Sequence, residues 1–308
     1  MLNQLYRTIN FRVLLILLVA LAAMNHRLEG QTIQNIKEAE DSLVSILADL
    51  NNTDNDSLKD LLNHDFYNTL LSALMLPDAD DYAFGSLKTL IRISPDDSKF
   101  RIYHWNLPAN SGKKRYFGFL KLLHRATPEV FPLRDFSDSI PLPDTAILDP
   151  NHWFGALYYT AITGTTASGK TYYTLLGWAG SSSIINRKVI EIVSFDEHDH
   201  PAFGLPVFPD YEEGNRTRII FRYAATTSML LKYEEHIIST EKKWNAKKRD
   251  FDARIKRGMM IVCDKLIPLD PQFEGQYQYY VPAGETCDSF QVVDGSWHFV
   301  RGVETRNK

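Results

Sequence analysis

An alternation of apolar and polar residues with a period of two begins near residue 87, and this pattern most limits how the chain can fold. Such alternation is typical of β-strands with one buried face. Turn residues interrupt it: Ser94-Pro95-Asp96-Asp97 separates the first two candidate strands, and Asp294-Gly295 is a tight-hairpin signal between the last two. Hairpins that follow one another without helices predict an antiparallel β domain over residues 81–308, folded as a barrel, a sandwich or an irregular propeller.

The candidate strands share this alternation and follow one another in sequence. They are Leu90–Ile93, Phe100–Trp105, Lys114–Leu123, Phe154–Ile162, Thr171–Trp178, Lys188–Phe195, Ala202–Phe208, Arg218–Tyr223, Ser228–Tyr233, Met259–Cys263, Tyr277–Val281, Ser289–Val293 and Trp297–Val300. Residues 127–150 contain five prolines. We interpret this stretch as a connector between two β sections.

Residues 31–80 have a different pattern, with apolar residues three and four positions apart. It predicts one helix over Ile33–Leu50 and a second that starts at Asp56, a candidate N-cap, and ends before Pro77. We interpret the apolar stripes of both helices as packing surfaces rather than binding grooves. The predicted fold class is therefore α+β, with two N-terminal helices and a predominant antiparallel β domain.

Residues 1–30 have the pattern of a cleavable secretory signal. Arg7 and Arg12 form a basic start, Val13–Met24 is apolar and uncharged, and the mature chain is expected to begin near Gln31. The apolar run is shorter than the roughly 20 residues that a membrane-spanning helix needs; an uncleaved anchor is the alternative. We therefore expect an exported protein of the periplasm, cell envelope or extracellular space, not integral to the membrane after cleavage.

Charge and cysteine content limit the possible partners further. The formal net charge is −4 and the pI is near 6.1, so the chain has no overall positive charge with which to attract nucleic acid or an anionic membrane. The two cysteines, Cys263 and Cys287, lie on neighbouring candidate strands. In an oxidising compartment they form either a disulfide or two buried free thiols.

One segment, Gly164–Thr171, matches the phosphate-binding loop pattern G-x-x-x-x-G-K-[ST] at every required position. That loop binds phosphate when it leads into a helix whose N-terminal amides face the anion. Here the following residues, Tyr172–Trp178, favour a β-strand, and so do the preceding ones, Ala156–Ile162. We therefore interpret the motif as a hairpin turn, reject nucleotide binding, and expect no cofactor.

The segment Asp196-Glu197-His198-Asp199-His200 brings two imidazoles close to three carboxylates. On a strand His198 and His200 would point the same way and could share a metal ion. Because the segment lies between two candidate strands and precedes Pro201, we favour a polar turn and predict no metal site.

Residues 241–257 are rich in lysine and arginine and interrupt what would otherwise be a short hairpin. We interpret them as a solvated insertion. The alternative is a contact surface for an acidic glycan or an envelope partner, with Trp244, Lys247, Lys248 and Arg249 as its candidate residues.

Several phrases carry a resemblance to a group of uncharacterised secreted proteins of Bacteroidota, over roughly residues 90–305. They are Phe100–Asn106, Arg115–Gly118, Trp153–Tyr159, Gly169–Trp178 and Gly275–Tyr280. The group brings no known activity, so the resemblance implies a secreted protein and leaves the function open.

Nucleophile and metal signatures such as G-x-S-x-G, H-E-x-x-H and C-x-x-C are missing from the sequence, as is a dinucleotide fingerprint, and no catalytic residue is assigned. We expect a non-catalytic binding or accessory protein of the cell envelope that contacts a protein or a glycan through its β domain. The alternative is a secreted hydrolase acting on glycan or peptide, with a site assembled from distant residues. A deep pocket with convergent carboxylates would favour the enzyme.

Overall fold

The computed structural model describes residues 35–180, 182–212, 214, 216–245 and 250–304. The predicted signal, residues 1–30, lies outside them. The described chain forms two compact units: the first contains the residues up to 89 together with 121–130, and the second contains residues 90–120 and those from 131 onward.

Two helices open the first unit: α1 covers residues 35–51 and α2 covers Asp56–Leu74. The Asn55 side chain caps α2 by accepting from the amides of Ser57 and Leu58. The prediction of Asp56 as the cap was therefore wrong by one residue, because Asn55 is the last residue with extended dihedral angles. Pro77 opens a 3₁₀ turn, Pro77–Asp80, soon after the helix ends.

The apolar stripes of the two helices pack only in part. Ile36 and Leu43 of α1 and Phe66 and Leu70 of α2 are fully buried, whereas Leu61 of α2 is 59% exposed. The stripes are thus packing surfaces at these buried positions, and the start of the α2 stripe faces solvent.

Buried charges tie the first unit together. The Glu40 carboxylate accepts from the Tyr82 hydroxyl at 2.6 Å and from the Ser86 amide at 2.7 Å. The ammonium group of Lys121, 2% exposed, lies 2.6 Å from the Asp80 carboxylate. The Glu40 carboxylate is thus hydrogen-bonded and the Lys121 charge is paired, as burial requires.

The β-strands number thirteen in the described chain and all pair antiparallel within three sheets. They are β1 Ile91–Ile93, β2 Phe100–Pro108, β3 Lys114–Leu122, β4 Glu129–Arg134, β5 Leu157–Thr165, β6 Thr171–Trp178, β7 Ile185–Phe195, β8 Pro201–Phe203, β9 Ile219–Ala224, β10 Leu231–Asn245, β11 Asp250–Pro268, β12 Tyr280–Val293 and β13 Ser296–Glu304. The predicted α+β class with predominant antiparallel β-structure is confirmed.

Each sheet is an open meander, in which consecutive strands are neighbours. Sheet 1 has the order β1-β2-β3-β4, sheet 2 has the order β5-β6-β7-β8, and sheet 3 has the order β10-β11-β12-β13. Strand β9 also pairs with β7, through Ile185–Ile190. Local hairpins therefore account for every pairing except β7–β9.

Three predictions about the β domain need correction: a connector, a strand and an insertion. The predicted connector 127–150 contains β4, whose Pro132 is tolerated because β4 is an edge strand of sheet 1. The predicted strand Tyr277–Val281 begins as a 3₁₀ turn, Tyr277–Tyr279, and only then enters β12. The predicted insertion 241–257 does not interrupt its hairpin: β10 and β11 stay paired up to Asn245 and Asp250.

The main core of the second unit lies between sheets 2 and 3. Fully buried side chains from sheet 2 meet fully buried side chains from sheet 3 there, among them Tyr172, Ile190 and Ile192 of sheet 2 and Ile261 and Phe290 of sheet 3. The indole of Trp297 joins the two sheets by donating to the Thr174 hydroxyl at 2.9 Å. Burial of these large side chains supplies the main stabilisation of the unit.

Candidate functional site

A cleft of about 730 Å³ in the second unit is the candidate functional site. Its lining comes from β9 and the residues before it, from the ends of β11, β12 and β13, and from the segment around Tyr277. Its polar lining includes Asp144, Tyr211, Glu212, Arg216, Arg218, Arg222, Asp264, Lys265, Tyr277, Tyr280, Asp288 and Arg301. Pockets of this size hold small ligands.

The wall formed by β9 is an edge strand. Among the described strands, β9 pairs with β7 alone, and Ile220, Phe221 and Arg222 line the cleft. Every second residue of an antiparallel edge strand turns its backbone N–H and C=O away from the partner strand. On this wall the Ile220 carbonyl already accepts from the Arg222 guanidinium, at 3.4 Å.

A fully buried ion pair holds this wall in place. The Arg218 Nε atom donates to both carboxylate oxygens of Glu191 on β7, at 2.9 and 3.1 Å. The rest of the guanidinium donates to the carbonyls of Pro143, Ala146 and Phe203. Burial raises the pKa of Glu191, and the neighbouring Arg218 opposes that rise. The pair thus joins the strand to the segment that carries Asp144.

Asp144 in turn positions the guanidinium group of Arg222, which lines the cleft. Its carboxylate accepts from the Arg222 guanidinium at 3.3 Å. The same guanidinium lies 5.6 Å from the centroid of the Tyr277 ring, within the range of a cation–π contact. Arg222 is therefore held between a carboxylate and an aromatic face, with its planar N–H groups at the cleft.

A second part of the cleft lining comes from β11, β12 and β13. One carboxylate oxygen of Asp288 accepts from the Gly302 amide at 3.1 Å. The Arg301 guanidinium lies 5.8 Å from the Phe299 ring, and that ring packs edge-on against Tyr211 at 4.9 Å. This part of the lining also combines a cation, an aromatic ring and a carboxylate that already accepts a hydrogen bond.

The four carboxylates at the cleft each have an internal partner. Glu212 accepts from Arg216, Asp144 from Arg222, Asp264 from the Leu230 amide and Asp288 from the Gly302 amide. The register places Asp288 opposite Cys263, and Asp264 opposite Cys287. Directly opposed residues share a face of the sheet, so Asp264 and Asp288 point to opposite faces. These two carboxylates do not converge on one bound atom.

The two cysteines are free and buried. The same register directs Cys263 and Cys287 to opposite faces of the β11–β12 pair, so the possible disulfide is not formed. Burial raises the pKa of the Cys263 thiol well above its usual range and, with Asp264, raises that of Cys287 to about 11. Both thiols therefore stay protonated near neutral pH and are poor nucleophiles.

The phosphate-loop pattern is a hairpin turn. Residues 166–170 connect β5 and β6, whose last pair is Thr165 and Thr171. The Thr166 amide donates to the Lys170 carbonyl, the Gly169 amide to the Thr166 carbonyl, and the Lys170 amide to the Thr166 hydroxyl. These amides bond within the turn, and no helix follows. The predicted strand–turn–strand is confirmed.

The histidine-rich segment is also a turn. The Asp196 carboxylate accepts from the backbone amides of His198 and His200, both at 2.8 Å, and its backbone pairs with His200. His198 and His200 therefore do not lie on a strand that would align their rings. Within the described residues, no three His, Cys, Asp or Glu side chains are grouped so as to hold a metal ion.

Of the predicted contact residues of the basic segment, Trp244 is described and is not part of the cleft lining. Trp244 is 53% exposed on β10, where its Cα pairs with that of Phe251. Lys247, Lys248 and Arg249 lie outside the described residues. The contact surface proposed for this segment stays a prediction.

Sequence reasoning did not find the cleft. Its residues come from segments far apart in the chain, and neither β9 nor the 3₁₀ turn at Tyr277 has a local signal for its position. The one usable signal was the run Gly275–Tyr280, in which three tyrosines follow a glycine.

No protein-family model, curated protein or solved structure matches this chain. Among the described residues, no helix has the length and apolar character that crossing a membrane requires. Functional inference therefore depends on the geometry of the cleft.

Proposed function

We propose that this chain is an exported, non-catalytic binding protein of the bacterial cell envelope, and that it binds a glycan in the cleft beside β9. Export is an expectation from residues 1–30. The observation that carries the proposal is the lining of the cleft, which contains three tyrosines and four arginines, with the Arg222 guanidinium against the Tyr277 ring.

This lining suits sugar chemistry. A sugar ring presents an apolar face and a rim of hydroxyl groups, so it requires an aromatic surface together with donors and acceptors fixed in direction. Tyr277 offers a ring that is 38% exposed, and Arg222 beside it offers N–H donors. Five cationic and four acidic residues line the cleft, and Glu191, outside the lining, neutralises one of the five, Arg218. The remaining charges balance, which favours a neutral or weakly charged ligand.

A secreted hydrolase is the second candidate, favoured by the four carboxylates at the cleft. Glycoside hydrolysis needs two carboxyl groups that face the same bond, one of them as a proton donor. Here Asp264 and Asp288 point to opposite faces of their sheet, and Asp144 and Glu212 are paired with arginines. These arrangements support binding over hydrolysis.

The test is a binding screen with oligosaccharides from cellulose, xylan, chitin and polygalacturonate, measured by calorimetry with the purified protein. We expect at least one series to bind, and Tyr277→Ala to weaken its binding about tenfold, as expected for loss of a stacking contact. The matched control is Tyr159→Ala, because Tyr159 is similarly exposed, at 43%, and lies outside the cleft.

Two outcomes would contradict the proposal. If none of the saccharides binds, or if both tyrosine variants bind as the unchanged protein does, the cleft is not a glycan site. If the bound oligosaccharide is shortened during incubation, as shown by chromatography, the protein is a hydrolase.

A further inference from the structure

The arginines that line the cleft differ in whether they have an acidic partner. Three of the four each donate to a carboxylate, in the pairs Arg216–Glu212, Arg218–Glu191 and Arg222–Asp144. The fourth, Arg301, lies 5.8 Å from the centroid of the Phe299 ring. Within the described chain its guanidinium makes no hydrogen bond and no ion pair, so its planar set of N–H donors is available to a ligand.

The negative charge of Asp264 is neutralised away from the cleft. Its carboxylate points to the opposite face of the β11–β12 pair from that of Asp288. There it accepts from the Leu230 amide at 2.7 Å and from the Cys287 thiol at 3.7 Å. It also lies near Lys188 of β7, which is not part of the cleft lining: burial lowers the pKa of Lys188, and the charge of Asp264 opposes that change.

The groups that remain give the cleft one more positive charge than negative charge. Arg301 and Lys265 are cationic, and Asp288 is the acidic residue left to balance them. Asp288 already accepts from the Gly302 amide at 3.1 Å. One anionic group on an otherwise neutral ligand would balance this excess, which agrees with the weakly charged ligand expected from the lining as a whole.

Two further donors of the lining have no partner within the described residues. The ring of Tyr211 packs edge-on against Phe299 at 4.9 Å, and its hydroxyl makes no hydrogen bond to a described residue. The Nε atom of Arg216 is buried and is also without a hydrogen-bond partner there. Burial raises the pKa of Tyr211, and Arg216 opposes this rise, so these two donors lie close to each other. Buried donors without a protein partner are normally satisfied by a ligand or by water.

A planar guanidinium donates two parallel hydrogen bonds to the two oxygens of a carboxylate, and it therefore recognises this group better than a point charge would. We infer that the glycan bound in the cleft contains a uronic acid, and that Arg301, stacked on Phe299 and next to Tyr211, holds its carboxylate. This inference rests on the proposed function, and it specifies the class of sugar that the site recognises.

The test compares trisaccharides that differ in their charge. The first pair is cellotriose and its derivative in which the hydroxymethyl groups are oxidised to carboxylates; the second is the methyl ester of trigalacturonate and trigalacturonate itself. Calorimetry with the unchanged protein should show at least about tenfold tighter binding of the uronate in the pair that binds, as expected for a charge-assisted hydrogen bond. Added salt should reduce this preference, because salt screens the charge of the exposed Arg301.

Variants of Arg301 locate the carboxylate. Arg301→Gln should remove the preference for the uronate, because glutamine keeps a polar side chain without the charge. Arg301→Lys should keep only part of the preference, since lysine retains the charge but lacks the planar pair of donors. The matched control is Arg257→Gln, which removes the same charge from an exposed arginine of β11 outside the cleft lining and should leave the preference unchanged. Thermal unfolding of each variant checks that it is folded.

The outcomes separate this inference from the proposed function. If no saccharide binds the unchanged protein, the proposed function fails. If saccharides bind but the neutral form binds as tightly as the uronate, or if Arg301→Gln keeps the preference, Arg301 does not hold a carboxylate and only the inference fails. If a sulfated cellotriose binds more tightly than the uronate, the anionic group is a sulfate and the assignment of a uronic acid is wrong.

Discussion

The buried imidazole of His104 on β2 makes a specific prediction about how stability depends on pH. Its ring is fully buried, and its Nε2 atom accepts from the backbone amide of Tyr158 on β5 at 2.6 Å. Nε2 accepts from this amide in the neutral ring that carries its proton on Nδ1; when Nε2 carries a proton, it donates to the Tyr158 carbonyl oxygen at 3.1 Å. Burial lowers the pKa of His104 from 6.5 to about 4. In the unfolded chain the same ring takes up a proton near pH 6.5.

The sign and size of the effect follow from these two pKa values. Between pH 6.5 and 4 the unfolded chain binds the proton and the folded chain does not, so acid favours unfolding. The stabilising contribution of neutral His104 is complete above pH 6.5 and is lost as the pH falls towards 4. A shift from 6.5 to about 4 corresponds to about 3 kcal/mol.

The assay is urea unfolding of the unchanged protein and of His104→Gln at pH 7 and at pH 4. Glutamine keeps an acceptor for the Tyr158 amide and does not titrate. The difference in unfolding free energy between the two proteins should change by about 3 kcal/mol across this range, in the direction that favours the variant at pH 4. His198→Gln is the control, because His198 is exposed in a turn. An equal pH dependence in the unchanged protein and His104→Gln would refute the reasoning.

Three further predictions concern stability and thiol chemistry. Glu191→Gln leaves the Arg218 charge buried without its counter-ion and should lower the unfolding free energy by about 3–5 kcal/mol in urea titrations; a smaller loss than about 1 kcal/mol would show that the pair is not buried. Gly295→Ala should lower the melting temperature, because Gly295 has a φ of +77° and an added Cβ would lie 2.4 Å from the Thr165 carbonyl oxygen. Both cysteines should resist a maleimide reagent in the folded protein and react in urea, without prior reduction; a need for reductant would reveal a disulfide.

The sequence was a good guide to the hairpins, because their pairing is local. Asp294 and Gly295 both have positive φ values, as a two-residue turn of this type requires, and they connect β12 and β13 directly. The segments on either side of the Gly164–Thr171 pattern are rich in tyrosine and β-branched residues, and they form β5 and β6. In these places the residues that specify the turn also specify the strand pair.

The sequence did not predict the elements whose position depends on residues far away in the chain or on their place at a sheet edge. Tyr277–Tyr279 has strand-forming residues, yet hydrogen bonds to Gln276 and the conformation of Gly275 turn it into a 3₁₀ helix. The five prolines of residues 127–150 concealed β4, since an edge strand tolerates a proline that a central strand does not. Neither segment carries a sequence signal for the pairing of β9 with β7. The cleft beside β9 could therefore not be predicted from the sequence.

The buried Arg218 explains why a cleft so rich in charge can be ready for a weakly bound ligand. Its guanidinium joins β7, the segment 143–146 and Phe203, and each of these contacts would leave a buried charge or carbonyl unpaired if the segment moved. Asp144 is thereby fixed next to Arg222 before any ligand arrives. Each hydrogen bond to a sugar hydroxyl contributes only about 0.5–1.5 kcal/mol, so several such bonds cannot also offset the ordering of a mobile wall. A wall held by a buried ion pair removes that cost, so the proposed glycan binding depends on the ion pair as well as on the cleft lining.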